Sequence, residues 1–193
     1  MSTQPVSVLH TSVTKRPSNP RNTQNSWIMA PVSPEVALAI TSQKARYGRY
    51  IDTKQWDKWE EEVMHPRATC VFIDMNGKVV RSGKKVLAFS RAADMRSFFE
   101  PFFSDKQSMH MFGPGEFEQI APDEVRAVFA LEDKIILPPL GSFLQVRGGG
   151  FYTEIWKLTG GKWYLKGFKL ERTYETMTFL VQIVVFFQKL FGL

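Results

Sequence analysis

The clearest hydrophobic pattern in the chain is an alternation of apolar and polar residues over 124–137. Apolar side chains occupy its odd positions, namely Val125, Ala127, Phe129 and Leu131. A two-residue period predicts a β-strand with these side chains on one buried face. Asp133 continues the same face. Because an ionised carboxylate without a partner is costly to bury, we expect Asp133 to have one.

A second strand is predicted at 108–120, joined to the first by a short turn. His110 and Phe112 share one face of this strand. Counting back from the turn pairs Phe112 with Asp133. A bulge in the Gly-Pro-Gly segment 113–115 that absorbed two residues would instead bring His110 opposite Asp133. The alternative is a frayed strand end with a surface carboxylate.

Helical periodicity precedes these strands. Ser33 is predicted to cap a helix that begins at Pro34, and the apolar stripe of this helix places Tyr47 on its buried side. Asp52 is predicted to cap a second helix. Ser90 is predicted to cap a third helix, whose apolar face is rich in phenylalanine.

Two more strands are predicted at 143–158 and 162–174. Gly148, Gly149 and Gly150 interrupt the first of them, which indicates a bulge or bend rather than a phosphate-binding loop. Helices followed by antiparallel strands are typical of the α+β class. We therefore predict a cone-shaped α+β barrel, in which helices pack on a strongly curved, mainly antiparallel sheet. Its open end would line a pocket.

The chain divides into three parts. Residues 1–33 are polar, basic and rich in proline, and are predicted to form a disordered tail. Residues 34–175 are predicted to form the folded domain. Residues 176–193 contain an apolar run too short to span a bilayer. We predict an amphipathic helix there that covers the pocket mouth or a neighbouring subunit, with membrane-surface attachment as the alternative.

Composition and charge narrow the classes of function. The formal net charge is +6, and Lys15, Arg16 and Arg21 of the tail contribute half of it. The other basic residues are interspersed with acids, so nucleic-acid binding is not expected. The single cysteine, Cys70, excludes an intramolecular disulfide and fits a core position in a reducing, cytoplasmic compartment. We find no metal, nucleotide or flavin motif, and expect no cofactor.

Four segments, in chain order, carry a resemblance to a known family: KARYGRYIDTKQWDKW, SMH, AVFALEDKIIL and YLKGFKLERTY. They resemble the SnoaL-like branch of the nuclear transport factor 2-like superfamily over roughly residues 35–175. Within it they are most similar to bile-acid 7-alpha-dehydratases and, more distantly, to scytalone dehydratase and to fungal secondary-metabolism isomerases and cyclases. The Gly-Pro-Gly segment 113–115 and both terminal extensions depart from the family pattern, which leaves the substrate open.

The resemblance implies five active-site positions: Tyr47, Asp52, His110, Asp133 and Arg172. His110 is the natural base, because an imidazole titrates near working pH. Asp133 would orient it. Tyr47 would donate a hydrogen bond to a substrate oxygen, and Arg172 would hold a carboxylate or enolate. Asp52 is either catalytic or only a helix cap.

The implied function is a cofactor-independent lyase or isomerase that dehydrates its substrate or shifts a double bond. The expected substrate is a hydrophobic polyketide-, terpenoid- or steroid-like molecule of secondary metabolism. A cyclase or pericyclase on the same scaffold is the alternative, and a non-catalytic binding module is a further one. Aromatic residues of the last two strands, Phe151, Tyr152, Trp156 and Trp163, also favour a homodimer formed through the sheet.

Overall fold

The computed structural model describes residues 31–138 and 143–183. The helical segments in these ranges are α1 (Pro34–Asp52), α2 (Trp56–Lys58), a π-helical turn (Trp59–Val63) and α3 (Ala92–Phe103). The first four strands are β1 (Met64–Ile73), β2 (Arg81–Ser82), β3 (Lys85–Val86) and β4 (Ala88–Phe89). The long strands are β5 (Gln107–Ala121), β6 (Glu124–Ile136), β7 (Gln145–Thr159) and β8 (Lys162–Met177).

Six strands form one sheet in the order β4-β1-β8-β7-β6-β5. β1 and β8 run parallel, and all the other neighbours are antiparallel. β2 and β3 form a separate ribbon. The sheet is curved and packs against the helices, so the predicted α+β cone is confirmed.

The start of α1 is as predicted, but the role of Asp52 at its end is not. Ser33 Oγ accepts a hydrogen bond from the backbone of Val36, and Pro34 is the first helical residue. The predicted cap role of Asp52 is wrong, because Asp52 is the last residue of α1 and Thr53 is the C-cap. The backbone N–H and the hydroxyl of Thr53 both donate to the Arg49 carbonyl, at 2.9 and 2.7 Å, and this closes the helix.

The β5–β6 register places His110 directly opposite Asp133, as the bulge hypothesis required. The two-residue shift does not arise at one place. One irregularity lies between Phe112 and Gly115, and a second lies beside the β5–β6 turn. The odd-numbered face of β6 is buried as predicted, including Asp133, which is 5% exposed.

Aromatic side chains fill the interior of the cone. The Tyr47 ring centroid lies 6.0–6.4 Å from the centroids of Trp59, Phe112, Tyr152 and Phe168. Cys70 is buried in the same core, as predicted. Because the centre is packed, the cavity described below lies to one side, between α1 and β5.

The glycine run in β7 is a site of close approach. The register between β7 and β8 is irregular between Gly149 and Gly150, which confirms the predicted bulge or bend. A Cβ at Gly150 would clash with the backbone carbonyl of Glu171. A Cβ at Gly148 would lie 2.7 Å from Nη1 of Arg172. Glycine therefore lets β8 and its arginine lie against β7.

Some predictions are corrected or lie outside the described residues. The predicted cap at Ser90 is wrong, because Arg91 precedes α3 and its side chain makes no capping hydrogen bond. The tail prediction lies almost wholly outside the described residues. The C-terminal prediction does so from residue 184 onward, although 179–183 are helical. Within 31–138 and 143–183, no helix is both long and apolar enough to cross a membrane.

Candidate active site

Asp52 in the last turn of α1 holds His110 of β5. Asp52 Oδ1 lies 2.7 Å from His110 Nδ1, and Asp52 Oδ2 accepts the backbone N–H of His110 at 2.9 Å. Ser108 Oγ donates to Oδ1 at 2.8 Å. The predicted hydrogen bond between His110 and Asp133 is therefore wrong. Although the two residues are opposite in the register, the imidazole turns toward α1.

The position of Asp52 is unfavourable for a carboxylate unless it has partners. Carbonyl groups at a helix C-terminus repel negative charge. Burial also disfavours the ionised form, but the hydrogen bonds from His110 and Ser108 outweigh it and lower the pKa of Asp52. An ionised Asp52 can only accept, so Nδ1 of His110 carries the proton and Nε2 is left as the basic nitrogen.

Gly48 makes room for this pairing. It lies one turn before Asp52 on the same face of α1. A Cβ at this position would lie 2.7 Å from Cε2 of Phe112 and 3.2 Å from Cβ of His110. The absence of a side chain at Gly48 lets β5 approach the helix closely enough for His110 to reach the carboxylate.

The His110–Asp52 pair lines a cavity of about 450 Å³ between α1 and β5. Its apolar lining includes Ala45, Met109, Phe112 and Phe129, and its charged lining includes Lys44 and Arg49. The side chains of His110 and Asp52 are only 8% and 11% exposed. A largely buried acid–base pair at an apolar cavity fits proton transfer on a hydrophobic molecule.

The buried carboxylate of Asp133 has a partner, as expected, but this partner is Arg172 and not His110. Nη2 of Arg172 donates to Oδ2 of Asp133 at 2.6 Å. Burial disfavours the charge on Arg172, yet the hydrogen bond and the attraction of Asp133 outweigh it and raise the pKa of the guanidinium. Nη1 of Arg172 is buried without a hydrogen-bond partner among the described residues. Neither residue lines the cavity between α1 and β5.

Tyr47 lies in the aromatic core rather than on the cavity wall. Burial raises the pKa of Tyr47 well above its ordinary value, and the neighbouring Tyr152 raises it further. Its hydroxyl is therefore neutral. The structure thus brings His110 and Asp52 together at the cavity and leaves Tyr47, Asp133 and Arg172 behind its wall. Catalytic roles for these three residues stay predictions.

A buried ion pair, Lys44 with Glu154, was missed by the sequence analysis. The two side chains are 1% and 0% exposed, and Nε1 of Trp156 also donates to the carboxylate, at 2.9 Å. Burial lowers the pKa of Lys44, and attraction to Glu154 opposes this shift. The ammonium lies 3.5 Å from the centroid of the Tyr152 ring, so it is held in an aromatic cage.

The sequence did contain a signal for this pair. Tyr152, Glu154 and Trp156 alternate along β7, which puts the carboxylate on the buried face in the same way as Asp133. Lys44 follows Ile40 by one turn on the apolar stripe of α1. Among the described residues, no group of three or more histidine, cysteine, aspartate and glutamate side chains is arranged to hold a metal ion.

Comparison with known proteins identifies the family. The sequence profile of the SnoaL-like domain matches residues 35–169. The chain belongs to the SnoaL-like family. The resemblance drawn from the four sequence segments is thereby confirmed.

Relatives and solved structures agree with this assignment. The protein named "Probable cyclase FGR4" from Gibberella zeae is 37% identical over 143 residues, which span 74% of this chain and 95% of the relative. A scytalone dehydratase-like protein from Novosphingobium aromaticivorans is 10% identical and superposes with a TM-score of 0.62, over 74% of this chain and 87% of its own. The hexachlorocyclohexane dehydrochlorinase LinA-type3 from Novosphingobium barchaimii is 11% identical and superposes with a TM-score of 0.60. The match covers 75% of this chain and 91% of the dehydrochlorinase. At these identities the two structures show the fold alone.

Proposed function

We propose that this SnoaL-like protein is a cofactor-independent lyase or isomerase that moves a proton at a carbon next to a carbonyl. His110 is the acid–base residue, and Asp52 is its positioning partner. The observation that carries the proposal is the His110–Asp52 pair at the wall of an apolar cavity. Proton transfer of this kind needs a base held within reach of the substrate.

The proposed reaction begins when Nε2 of His110 removes a proton from the activated carbon. The C–H electron pair moves into the carbonyl, which becomes an enolate, and the imidazolium is stabilised by Asp52. In a dehydration, the enolate then expels a hydroxyl from the neighbouring carbon, and His110 returns its proton to that oxygen to form water. In an isomerisation, His110 returns the proton to a different carbon, and the double bond shifts.

The cavity favours a hydrophobic small molecule as substrate. Its volume of about 450 Å³ is within the range of small-molecule sites. The apolar lining and the aromatic wall behind it suit polyketide-, terpenoid- or steroid-like molecules, as expected from the family resemblance. A role in secondary metabolism, a cytoplasmic location and a homodimer formed through the sheet are further parts of the proposal. The aromatic surface expected for the homodimer is corrected, because Tyr152, Trp156 and Trp163 are buried in the core and only Phe151 of these residues is exposed. A monomeric mass at micromolar concentration would contradict the homodimer.

Ring closure is the second candidate, because the relative from Gibberella zeae is named a cyclase. In such a reaction the cavity would fold a reactive intermediate, and His110 would serve only if a proton moves during closure. Products separate the candidates. Dehydration loses the mass of water, whereas isomerisation and ring closure keep the mass of the substrate.

The experiment uses the full chain with a panel of hydrophobic β-hydroxy ketones, enones and polyenes in deuterium oxide, read by mass spectrometry. The proposal predicts deuterium-labelled or dehydrated products with the wild type and their loss with His110→Gln. His65→Gln is the matched control, because His65 lies on β1 and does not line the cavity. Unlabelled ring-closed products that persist in His110→Gln would establish templated cyclisation instead. No conversion of any panel member by the wild type would contradict the lyase or isomerase proposal.

A further inference from the structure

Among the charged side chains that line the cavity, all but one have a hydrogen-bonded partner within the described residues. Lys44 is paired with Glu154, and Asp52 is hydrogen-bonded to His110. Arg49 also lines the cavity, at its exposed rim. Within 31–138 and 143–183, its side chain has no acidic partner and makes no hydrogen bond, although its guanidinium lies 5.3 Å from the centroid of the Tyr50 ring. The cavity rim therefore carries one free positive charge.

The geometry of α1 places this charge close to the reacting group. Arg49 and Asp52 are three residues apart, a rise of about 4.5 Å along the helix, and side chains at this spacing are neighbours. The two side chains form no ion pair among the described residues, and the Asp52 carboxylate is hydrogen-bonded to Ser108 and His110 instead. Arg49 thus remains available to an anion bound in the cavity.

We propose that Arg49 determines specificity by binding an anionic group, a carboxylate or an acidic enol, on the hydrophobic substrate. A guanidinium can hold a carboxylate through two parallel hydrogen bonds, which fixes its orientation as well as its position. The anion would lie within one helical turn of Asp52, in the cavity that His110 also lines. The family resemblance implied this role for Arg172, but the guanidinium of Arg172 is paired with Asp133 away from the cavity.

This inference rests on the proposed function only in assigning substrate to the same cavity. Binding of a probe tests it without turnover. Two fluorescent naphthalenes suit the test, because 8-anilinonaphthalene-1-sulfonate carries a sulfonate and N-phenyl-1-naphthylamine is its uncharged counterpart. Arg46 supplies the matched control, because it lies on the same helix, donates to Gln43 at 3.1 Å and does not line the cavity.

Fluorescence titration of the full chain should give the following result. Arg49→Gln weakens binding of the sulfonate probe about tenfold and leaves the uncharged probe unchanged, since only a charge-assisted contact is lost. Arg46→Gln changes neither affinity. The sulfonate affinity of Arg49→Lys should lie between those of Arg49→Gln and the wild type, because lysine keeps the positive charge but cannot form two parallel hydrogen bonds to the anion.

Any other pattern overturns the inference. Equal loss of both probes in Arg49→Gln would indicate a packing effect, and equal loss in Arg49→Gln and Arg46→Gln would indicate a general effect of net charge. A sulfonate affinity that Arg49→Gln leaves unchanged, or no sulfonate binding by the wild type, would also overturn it. His65→Gln, which lies outside the cavity, should bind both probes like the wild type, and the titration involves no proton transfer at His110. If the Arg49 prediction fails, the proposal for His110 is therefore unaffected. If the His110 proposal fails in the turnover experiment, the binding role of Arg49 is unaffected.

Discussion

Asp52 holds His110 from two directions, through the ring nitrogen at 2.7 Å and through the backbone N–H at 2.9 Å. The first contact fixes the tautomer, and the second fixes the strand against the end of α1. The imidazole is therefore preorganised by the fold before any substrate binds, which is what an acid–base residue requires.

The first prediction concerns stability in acid. Folding lowers the pKa of Asp52 below its ordinary value of 3.8, because the hydrogen bonds to the carboxylate outweigh its burial. Its contribution to stability is therefore fully present above that pH and is lost as the pH falls through the folded-state pKa. Asp52→Asn lacks this contribution. The difference in melting temperature between wild type and variant should be constant near neutrality and should shrink below about pH 4.

Thermal melts followed by circular dichroism from about pH 6 to about pH 3 measure this difference. Glu61→Gln is the control, because this carboxylate is exposed at the surface and makes no hydrogen bond or ion pair among the described residues, so its difference should not change with pH. A difference for Asp52→Asn that grows in acid would mean that the carboxylate is not stabilised by folding.

The second prediction concerns the buried pair. Lys44→Met leaves the Glu154 carboxylate buried without its counter-charge, so we expect a loss of about 3–5 kcal/mol in the free energy of unfolding. Glu154→Gln should cost a similar amount, because it leaves the ammonium uncompensated. The double variant Lys44→Met with Glu154→Leu removes both charges and should recover most of the loss.

Urea denaturation measures all three variants. Lys58→Met provides the control, because Lys58 is exposed and bonds only Gln55. Additive losses in the double variant would show that the two side chains do not act as a pair.

The third prediction concerns Asp133 and Arg172. Their contacts favour a structural role, whereas the family resemblance implies a catalytic one. Asp133→Asn leaves the Arg172 charge unbalanced and should lower the free energy of unfolding by about 3 kcal/mol, at the low end for a buried pair because Arg172 keeps some contact with solvent. Turnover per folded molecule should change little.

Melting curves and activity corrected for the folded fraction separate the two roles. A stable Asp133→Asn variant that has lost turnover would restore the catalytic assignment.

The strands were predictable because each has one buried face and therefore a two-residue pattern. Val125, Ala127 and Phe129 show this pattern without interruption. The same two-residue period predicted that the Asp133 carboxylate is buried, and it is. The Gly-Pro-Gly bulge could be anticipated as a register shift, although half of the shift arises elsewhere. The role of Asp52 could not be read from the sequence, because this residue is a good cap in isolation and only its contacts with β5 show its actual role.

The partner of His110 was misassigned for a related reason. Strand register tells which residues lie opposite one another, but not which way a side chain turns. His110 and Asp133 are cross-strand neighbours, yet the imidazole reaches Asp52 across 58 positions of sequence. That contact depends on the missing side chain of Gly48, which no periodicity reveals.

The most direct test of the account is a double-mutant cycle on His110 and Asp52, measured as turnover of an identified substrate. His110→Gln should lower turnover by roughly 10²–10⁴-fold, and Asp52→Asn should lower it nearly as much, because it removes the charge that positions and stabilises the imidazole. The double variant should be little worse than His110→Gln alone, since the two residues act as one unit. Full turnover in either folded single variant, or losses that multiply in the double variant, would contradict the account.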